Sequence, residues 1–183
     1  MITKQLSSLF VFNLLVVSAQ ANANQRWYVV NDSVMGGVSN SQVTQTQESL
    51  LFTGNVSLDN NGGFASIRTE LNTQSQNTKA IALRVKGDGQ TYQLRLRATN
   101  YLDGAAYTHS FKTVKNEWVD INFAPSDFTL TYRGRVLEKQ PIIDFDDIKQ
   151  LGFMIAGKQL GFMIAGKQEG KFKLEVGKIE FKS

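Results

Sequence analysis

Cysteine is absent from this 183-residue chain and histidine occurs once. Those absences exclude a disulfide framework, a cysteine nucleophile, an iron–sulfur cluster and any zinc centre that draws several ligands from nitrogen and sulfur. No cofactor is expected. An apolar run of the roughly 20 residues that a membrane-spanning helix needs is missing as well, and beyond residue 23 no segment sustains a helical period. Charge of one sign is scarce: 20 lysines and arginines against 16 acidic residues leave a net charge of +4, interspersed along the chain. Proteins that bind nucleic acid gather positive charge on one surface, so no nucleic-acid partner is expected. What remains is ordinary globular composition, 42% hydrophobic and 20% charged, in a length that suits one core.

The first residues read as an export leader. Lys4 supplies a positive start, Leu6 to Val17 is an apolar stretch of about a dozen residues, and Ala21-Asn22-Ala23 sets small residues at a cleavage point. No arginine occurs in this segment, which separates it from a mitochondrial transit peptide. The expectation is a secretory signal over residues 1–23 and a single β-sandwich domain over 24–183. The protein would be exported, periplasmic or secreted, with no integral membrane segment after cleavage.

Beyond the leader the pattern is strands and turns. Tyr92, Leu94, Leu96 and Ala98 alternate strictly with Gln93, Arg95 and Arg97, the signature of a half-buried strand. Ile81, Leu83 and Val85 alternate likewise just before, and Gly87-Asp88-Gly89 predicts a hairpin turn between the two. Further strands are expected over residues 50–58, 64–71, 107–113, 118–123 and 128–136. Phe172, Leu174 and Val176 share one parity, but Ile179 and Phe181 share the other, which predicts a bulge at Gly177. Many short strands without helices indicate an all-β antiparallel sandwich. One segment breaks the pattern: Leu151 to Gln159 is repeated residue for residue as Leu160 to Gln168. Nine is an odd number, so a straight strand through both copies would turn the second apolar set to the wrong face. One copy therefore forms a core strand, and the other is extruded or folded into an extra hairpin.

Candidate chemistry is sparse. Each copy of the doublet spells glycine, four residues, Gly-Lys, but the Ser or Thr that a phosphate-binding loop needs next is Gln159 or Gln168. His109 shares a face with Tyr107 and Phe111 and reads as a packed side chain. Asp144, Asp146 and Asp147 cluster beside Pro141, while Asp32, Asp59 and Asp88 lie in turns, where aspartate is favoured for backbone reasons. Asp59-Asn60-Asn61-Gly62 carries oxygen ligands, but its spacing matches no calcium loop, and it reads as a plain turn. Among the aromatic residues Tyr101, in Asn100-Tyr101-Leu102-Asp103-Gly104, is the best candidate for an exposed ring.

Asn31-Asp32-Ser33-Val34-Met35-Gly36-Gly37-Val38-Ser39, following Trp27, resembles the opening signature of the complex I intermediate-associated protein 30 family. Phe52-x-Gly54-x-Val56-Ser57, Gly62-Gly63-Phe64-x-Ser66-x-Arg68, Gly87-Asp88-Gly89 with Tyr92, Trp118, Arg133-Gly134-Arg135 and the Gly-Phe-Met-Ile-Ala segment continue the likeness in order. The resemblance implies a galactose-binding-like jelly-roll sandwich and a family associated in mitochondria with assembly of respiratory complex I; it carries over no catalytic residues. The leading expectation is a non-catalytic, exported binding or assembly-factor-like module that engages a protein partner. A carbohydrate-binding module stands second and a carboxylate-based carbohydrate-acting hydrolase third. Candidate partner or ligand contacts are Asp32 and Met35 in the signature loop, Arg68 or Arg95 nearby for charge, and Tyr101. The signature loop has two readings: a buried turn that pins the amino-terminal strand, or a contact surface.

Overall fold

The computed structural model describes residues 25–71, 76–98, 104–157 and 168–183. The proposed leader and Tyr101 lie outside them. Twelve strands follow in order: β1 (Trp27–Asn31), β2 (Asn40–Gln45), β3 (Leu50–Val56), β4 (Phe64–Glu70), β5 (Ala80–Lys86), β6 (Thr91–Arg97), β7 (Ala106–Lys112), β8 (Trp118–Phe123), β9 (Thr129–Tyr132), β10 (Arg135–Val136), β11 (Gln150–Ala156) and β12 (Gly170–Lys182). They form a seven-stranded sheet, β1-β4-β11-β6-β7-β9-β10, and a five-stranded sheet, β2-β3-β12-β5-β8. Every strand pair is antiparallel. Three-residue and four-residue 3-10 turns are the only helical elements among the described residues.

The alternating side chains explain why the sheets stack. Ala65 and Ile67 of β4, Tyr92, Leu94 and Leu96 of β6, and Leu151, Phe153 and Ile155 of β11 are almost wholly buried. So are Phe52, Leu83, Val85, Phe123 and Leu174 of the five-stranded sheet, and the two sets form one core. Each large side chain so buried contributes roughly 1.5–3 kcal/mol. Aromatic rings meet edge-on within it, Phe52 against Phe172 at 4.7 Å and Phe123 against His109 at 5.2 Å. His109 also sets Nδ1 2.8 Å from the Asp127 carbonyl, so it is the packed histidine that its alternation suggests.

Two expectations need correcting. β5 and β6 do not form a hairpin, because β5 belongs to the five-stranded sheet and β6 to the other. Their apolar faces meet across the core, and the Gly87-Asp88-Gly89 turn carries the chain from one layer to the next. Residues 128–136 are not one strand, since left-handed Arg133 and Gly134 (φ 47° and 78°) fold them into the β9–β10 hairpin. The bulge at Gly177 is present: the β12–β5 register shifts between Val176 and Lys178. A Cβ there would lie 3.0 Å from the Trp118 ring, so the bare glycine lets that ring pack closely over the bulge.

The first copy of the doublet is β11, the strand between β4 and β6. Most of the second lies outside the described residues, but its last residue is informative. Gln168 donates its backbone N–H to the Gly157 carbonyl at 3.3 Å. Its side-chain amide accepts from Thr91 N at 2.6 Å and donates to the Thr91 and Ala156 carbonyls. The chain thus rejoins the sandwich beside the point where β11 ends.

Candidate functional site

The signature loop is organised by one buried carboxylate. Asp32 opens a 3-10 turn (Asp32–Met35) directly after β1 and is 0% exposed. It accepts from Ser39 Oγ at 2.5 Å, Ser39 N at 3.0 Å, Gly63 N at 2.6 Å and Phe64 N at 3.2 Å. Ser39 Oγ in turn accepts from Ser57 N at 3.0 Å. The end of β1, the start of β2, the end of β3 and the start of β4 are therefore tied to one side chain. Burial alone raises the carboxyl pKa, but the hydrogen bonds from the Ser39 hydroxyl and from the Gly63, Phe64 and Ser39 amides outweigh it and hold the group below its ordinary value.

Two glycines make room for this carboxylate. A Cβ on Gly37 would lie 2.3 Å from Asp32 Cγ, and one on Gly62 would lie 2.6 Å from Asp32 Oδ2. Gly36, in the left-handed region at φ 88°, ends the turn by donating to the Ser33 carbonyl. The pinned turn then presents apolar side chains outward: Val34 is 71% exposed, Met35 67% and Val38 49%. Tyr28 and Val29 of the adjoining β1 are exposed as well.

Of the sequence candidates, then, Asp32 holds the loop from inside and does not reach solvent, while Met35 stands at its surface. Arg68 and Arg95 are brought together elsewhere. Both pair in register with Gly152, from β4 on one side and β6 on the other, on the outer face of the seven-stranded sheet. Val34 and Val38 were not singled out from sequence, although two valines flanking Met-Gly-Gly in a turn were the visible signal. Gly152 was missed too; a glycine inside an apolar strand is the mark of a close approach over it.

The other acidic groups serve the backbone. Asp88 accepts from Tyr92 Oη at 3.1 Å, from Gln90 N and from Lys173 N at 2.8 Å. It thereby extends the β12 ladder past the end of β5. Burial, then the Asp88 charge and hydrogen bond, push the Tyr92 hydroxyl far above the ordinary phenol range. Asp146 accepts from Asn77 N at 2.7 Å and Thr78 N at 2.9 Å, and Asp144 caps the short turn that contains it. Asp32, Asp88 and the Asp144–Asp146 pair thus hold three different turns. A groove of about 680 Å³ crosses β2, β3 and β12, lined by side chains including Asn40, Gln42, Thr53, Asn55, Lys171 and Lys173. Phe172 belongs to its wall but is buried. Among the described residues no three histidine, aspartate or glutamate side chains gather as a metal site, and no helix is long and apolar enough to cross a membrane.

A two-sheet antiparallel sandwich of this kind, with a clasped loop at one corner, defines a galactose-binding-like jelly-roll fold. Solved structures agree on the fold. The chain is similar to a family 11 carbohydrate-binding module from Clostridium thermocellum in complex with a mixed-linked tetrasaccharide, with TM-score 0.59 and 15% identity over 91% of this chain and 95% of that one. It is similar also to part of an agarase, with TM-score 0.53 and 9% identity over 86% of this chain and 22% of that one. The chain belongs to the complex I intermediate-associated protein 30 family, whose model matches residues 17–176. A curated relative, the probable mitochondrial complex I intermediate-associated protein 30 of Caenorhabditis briggsae, is 23% identical over 156 residues. That match takes in 74% of this chain but only 43% of the relative.

The location read from the first residues is overturned here. The relative is mitochondrial by name, an intracellular place, and the family match starts at residue 17, inside the stretch read as an export signal. An exported, periplasmic or secreted protein is not what the family supports. A lysine followed by a short apolar run is common to leaders and to apolar segments that pack, and periodicity does not separate them.

Proposed function

We propose that this chain is a non-catalytic binding module that holds a protein partner through the loop at Val34, Met35 and Val38, with the sandwich as one rigid domain behind it. The observation that carries this reading is the contrast within four residues: a buried, hydrogen-bonded Asp32 beside Val34 and Met35, each about two-thirds exposed or more. A loop immobilised in this way presents apolar groups at little further entropic cost on binding. The family's name, association with an intermediate of complex I, supports a protein as the partner, and an assembly intermediate of a respiratory complex is the class it suggests. A carbohydrate is the weaker reading: the groove over β2, β3 and β12 offers amides and lysines, but its aromatic residue, Phe172, is buried.

Affinity capture from cell extract with the wild-type chain and with Val34→Ser/Met35→Ser tests the reading. Proteins retained by the wild type and lost by the double variant, at unchanged melting temperature, are the expected result. Equal retention by both would refute it.

A further inference from the structure

The groove over β2, β3 and β12 is built by register. On the outer face of the five-stranded sheet Asn40, Asn55 and Lys171 stand in one row across the three strands, and Gln42, Thr53 and Lys173 stand in the next. The intervening Val43, Phe52 and Phe172 point the other way, toward the core. Past β12 the sheet stops short. β5 pairs with β12 only from Glu175 onward, and side chains take the place of the missing strand: Asp88 accepts from Lys173 N at 2.8 Å, and the Gln90 side-chain amide donates to the Lys171 carbonyl at 3.1 Å. The result is a concavity of about 680 Å³, within the roughly 300–1,000 Å³ of small-molecule sites. With strands about 4.8 Å apart and alternate residues about 6.8 Å apart, its floor measures roughly 10 by 7 Å. That is the footprint of a sugar ring or two, far below that of a protein interface.

Lys171 and Lys173 are exposed, and neither belongs to an ion pair among the described residues. The carboxylates around them are committed elsewhere. Glu175 holds Lys86 Nζ at 2.9 Å and accepts from Ser49 Oγ at 3.3 Å, Glu169 accepts from Leu58 N, and both oxygens of Asp88 are taken by Tyr92, Gln90 and Lys173 N. Two ammonium groups on alternate residues of one strand, about 7 Å apart at their roots, repel each other until an anion lies between them. The rest of the floor is hydrogen-bonding surface. Gln42 donates to Thr53 Oγ1 at 3.3 Å, and the side chains of Asn40 and Asn55 form no hydrogen bond among the described residues. No ring face is offered, since Phe172 is buried beneath the floor; an uncharged sugar lacks a surface to stack on, and charge has to supply the affinity. Asn40 follows Ser39, which Asp32 clasps, and Ser41 Oγ donates to Asn31 Oδ1 at 2.7 Å. The β2 wall of the groove is therefore fixed before a ligand arrives.

We propose that this groove binds a small polyhydroxylated anion, a sugar acid or a sugar phosphate, with Lys171 and Lys173 on its charged oxygens and the amides of Asn40, Asn55 and Gln42 on its hydroxyls. A side-chain amide donates and accepts at once, as a hydroxyl does, and ammonium-to-oxyanion bonds are about twice as strong as neutral ones. The site is separate from the surface at Val34, Met35 and Val38 and goes beyond the protein-binding reading; neither stands or falls with the other.

Heteronuclear NMR titration of the full chain at about 0.15 M salt, read at the backbone amides of Lys171 and Lys173 and the side-chain amides of Asn40 and Asn55, tests this. The probes are digalacturonate, glucose 6-phosphate, neutral galactobiose, inorganic phosphate and tetraglutamate. At least one of the two sugar anions is expected to shift these signals saturably, with Kd at or below about 1 mM, and to bind about tenfold or more tighter than the neutral sugar, inorganic phosphate or the peptide. The tighter of the two identifies the charged group as carboxylate or phosphate. Lys171→Gln/Lys173→Gln should weaken binding about tenfold or more at unchanged melting temperature, because both side chains are exposed. Val34→Ser/Met35→Ser should bind the sugar anion as the wild type does. Failure of both sugar anions to saturate by about 10 mM, equal binding of galactobiose, inorganic phosphate or tetraglutamate, or wild-type affinity in the lysine variant would each overturn the proposal. None of those outcomes alters the capture of a protein through the loop, which the Val34→Ser/Met35→Ser comparison decides alone.

Discussion

Asp32 Oδ2 and Ser39 Oγ, seven residues apart in the chain, meet at 2.5 Å in a corner from which solvent is excluded. The same carboxylate holds Gly63 and Phe64 from β4. Removal of the side chain strands two buried amide donors, of Ser39 and Gly63, and the half-buried one of Phe64, a buried donor left unsatisfied costing about 1–3 kcal/mol. Asp32→Ala is therefore expected to destabilise by about 3 kcal/mol or more, a fall of roughly 6–12 °C in melting temperature. Gly37→Ala, which places a methyl group on Asp32 Cγ, should lower the melting temperature in the same direction. Thermal melts of both variants check this, and an unchanged Asp32→Ala would remove the carboxylate from its structural role.

Acid should reveal the same group. Its pKa is lowered in the folded chain, so its stabilisation is complete above the unfolded carboxylate pKa of about 3.9 and is lost as pH falls through the folded value. The urea midpoint of the wild type should decline below about pH 4. Asp146, lowered chiefly by the Thr78 amide, acts with the same sign. Asp32→Ala should consequently flatten the acid limb without abolishing it.

Alkali addresses the Tyr92–Asp88 pair. The folded state favours the neutral phenol, so stability is full below the ordinary tyrosine pKa of about 10 and falls as pH rises beyond it. Tyr92→Phe removes a hydrogen bond to a carboxylate and should cost about 1.5–3 kcal/mol at neutral pH, while its alkaline limb becomes shallower than that of the wild type. Urea titrations at neutral pH and above pH 10 separate the two effects.

The tandem doublet is open to deletion. Because the copies are identical, removing residues 159–167 or 160–168 gives the same chain, with one copy between intact flanks. β11 already lies paired between β4 and β6, and Gln168 rejoins at Gly157. The shortened chain should fold with stability within about 1 kcal/mol of the parent, since loop closure depends only weakly on length. A sharply lower melting temperature would make both copies structural.

Much of the layering was legible because alternation reports burial directly. Tyr92, Leu94 and Leu96 are buried as their parity requires, and the parity change at Gly177 corresponds to a real register shift. Pairing was less legible. β5 and β6 each present one apolar face, a pattern equally suited to strands that hydrogen-bond side by side and strands that face one another across a core. The site divided in the same way. Asn-Asp followed by Gly-Gly announced an unusual turn, but the partners Gly63 and Phe64 lie on another strand, thirty-one and thirty-two residues away. That Arg68 and Arg95 flank one glycine depends on β11 lying between β4 and β6, a long-range fact that no local pattern contains.

That placement of β11 has a counterpart in the other layer, where β12 lies at the centre between β3 and β5. The strands that join the two parts of each sheet thus follow the other ten in the sequence. Until they arrive, β1 and β4 lack their connection to β6, and β2 and β3 lack theirs to β5. The nascent chain carries unpaired strand edges and an open apolar face until then, the seven-stranded sheet until Ala156 is made and the five-stranded sheet until Lys182 is. Closure of both sheets therefore waits on the segment from Gln150 to Lys182, and the strand edges left open until it is made are where this chain would pair wrongly.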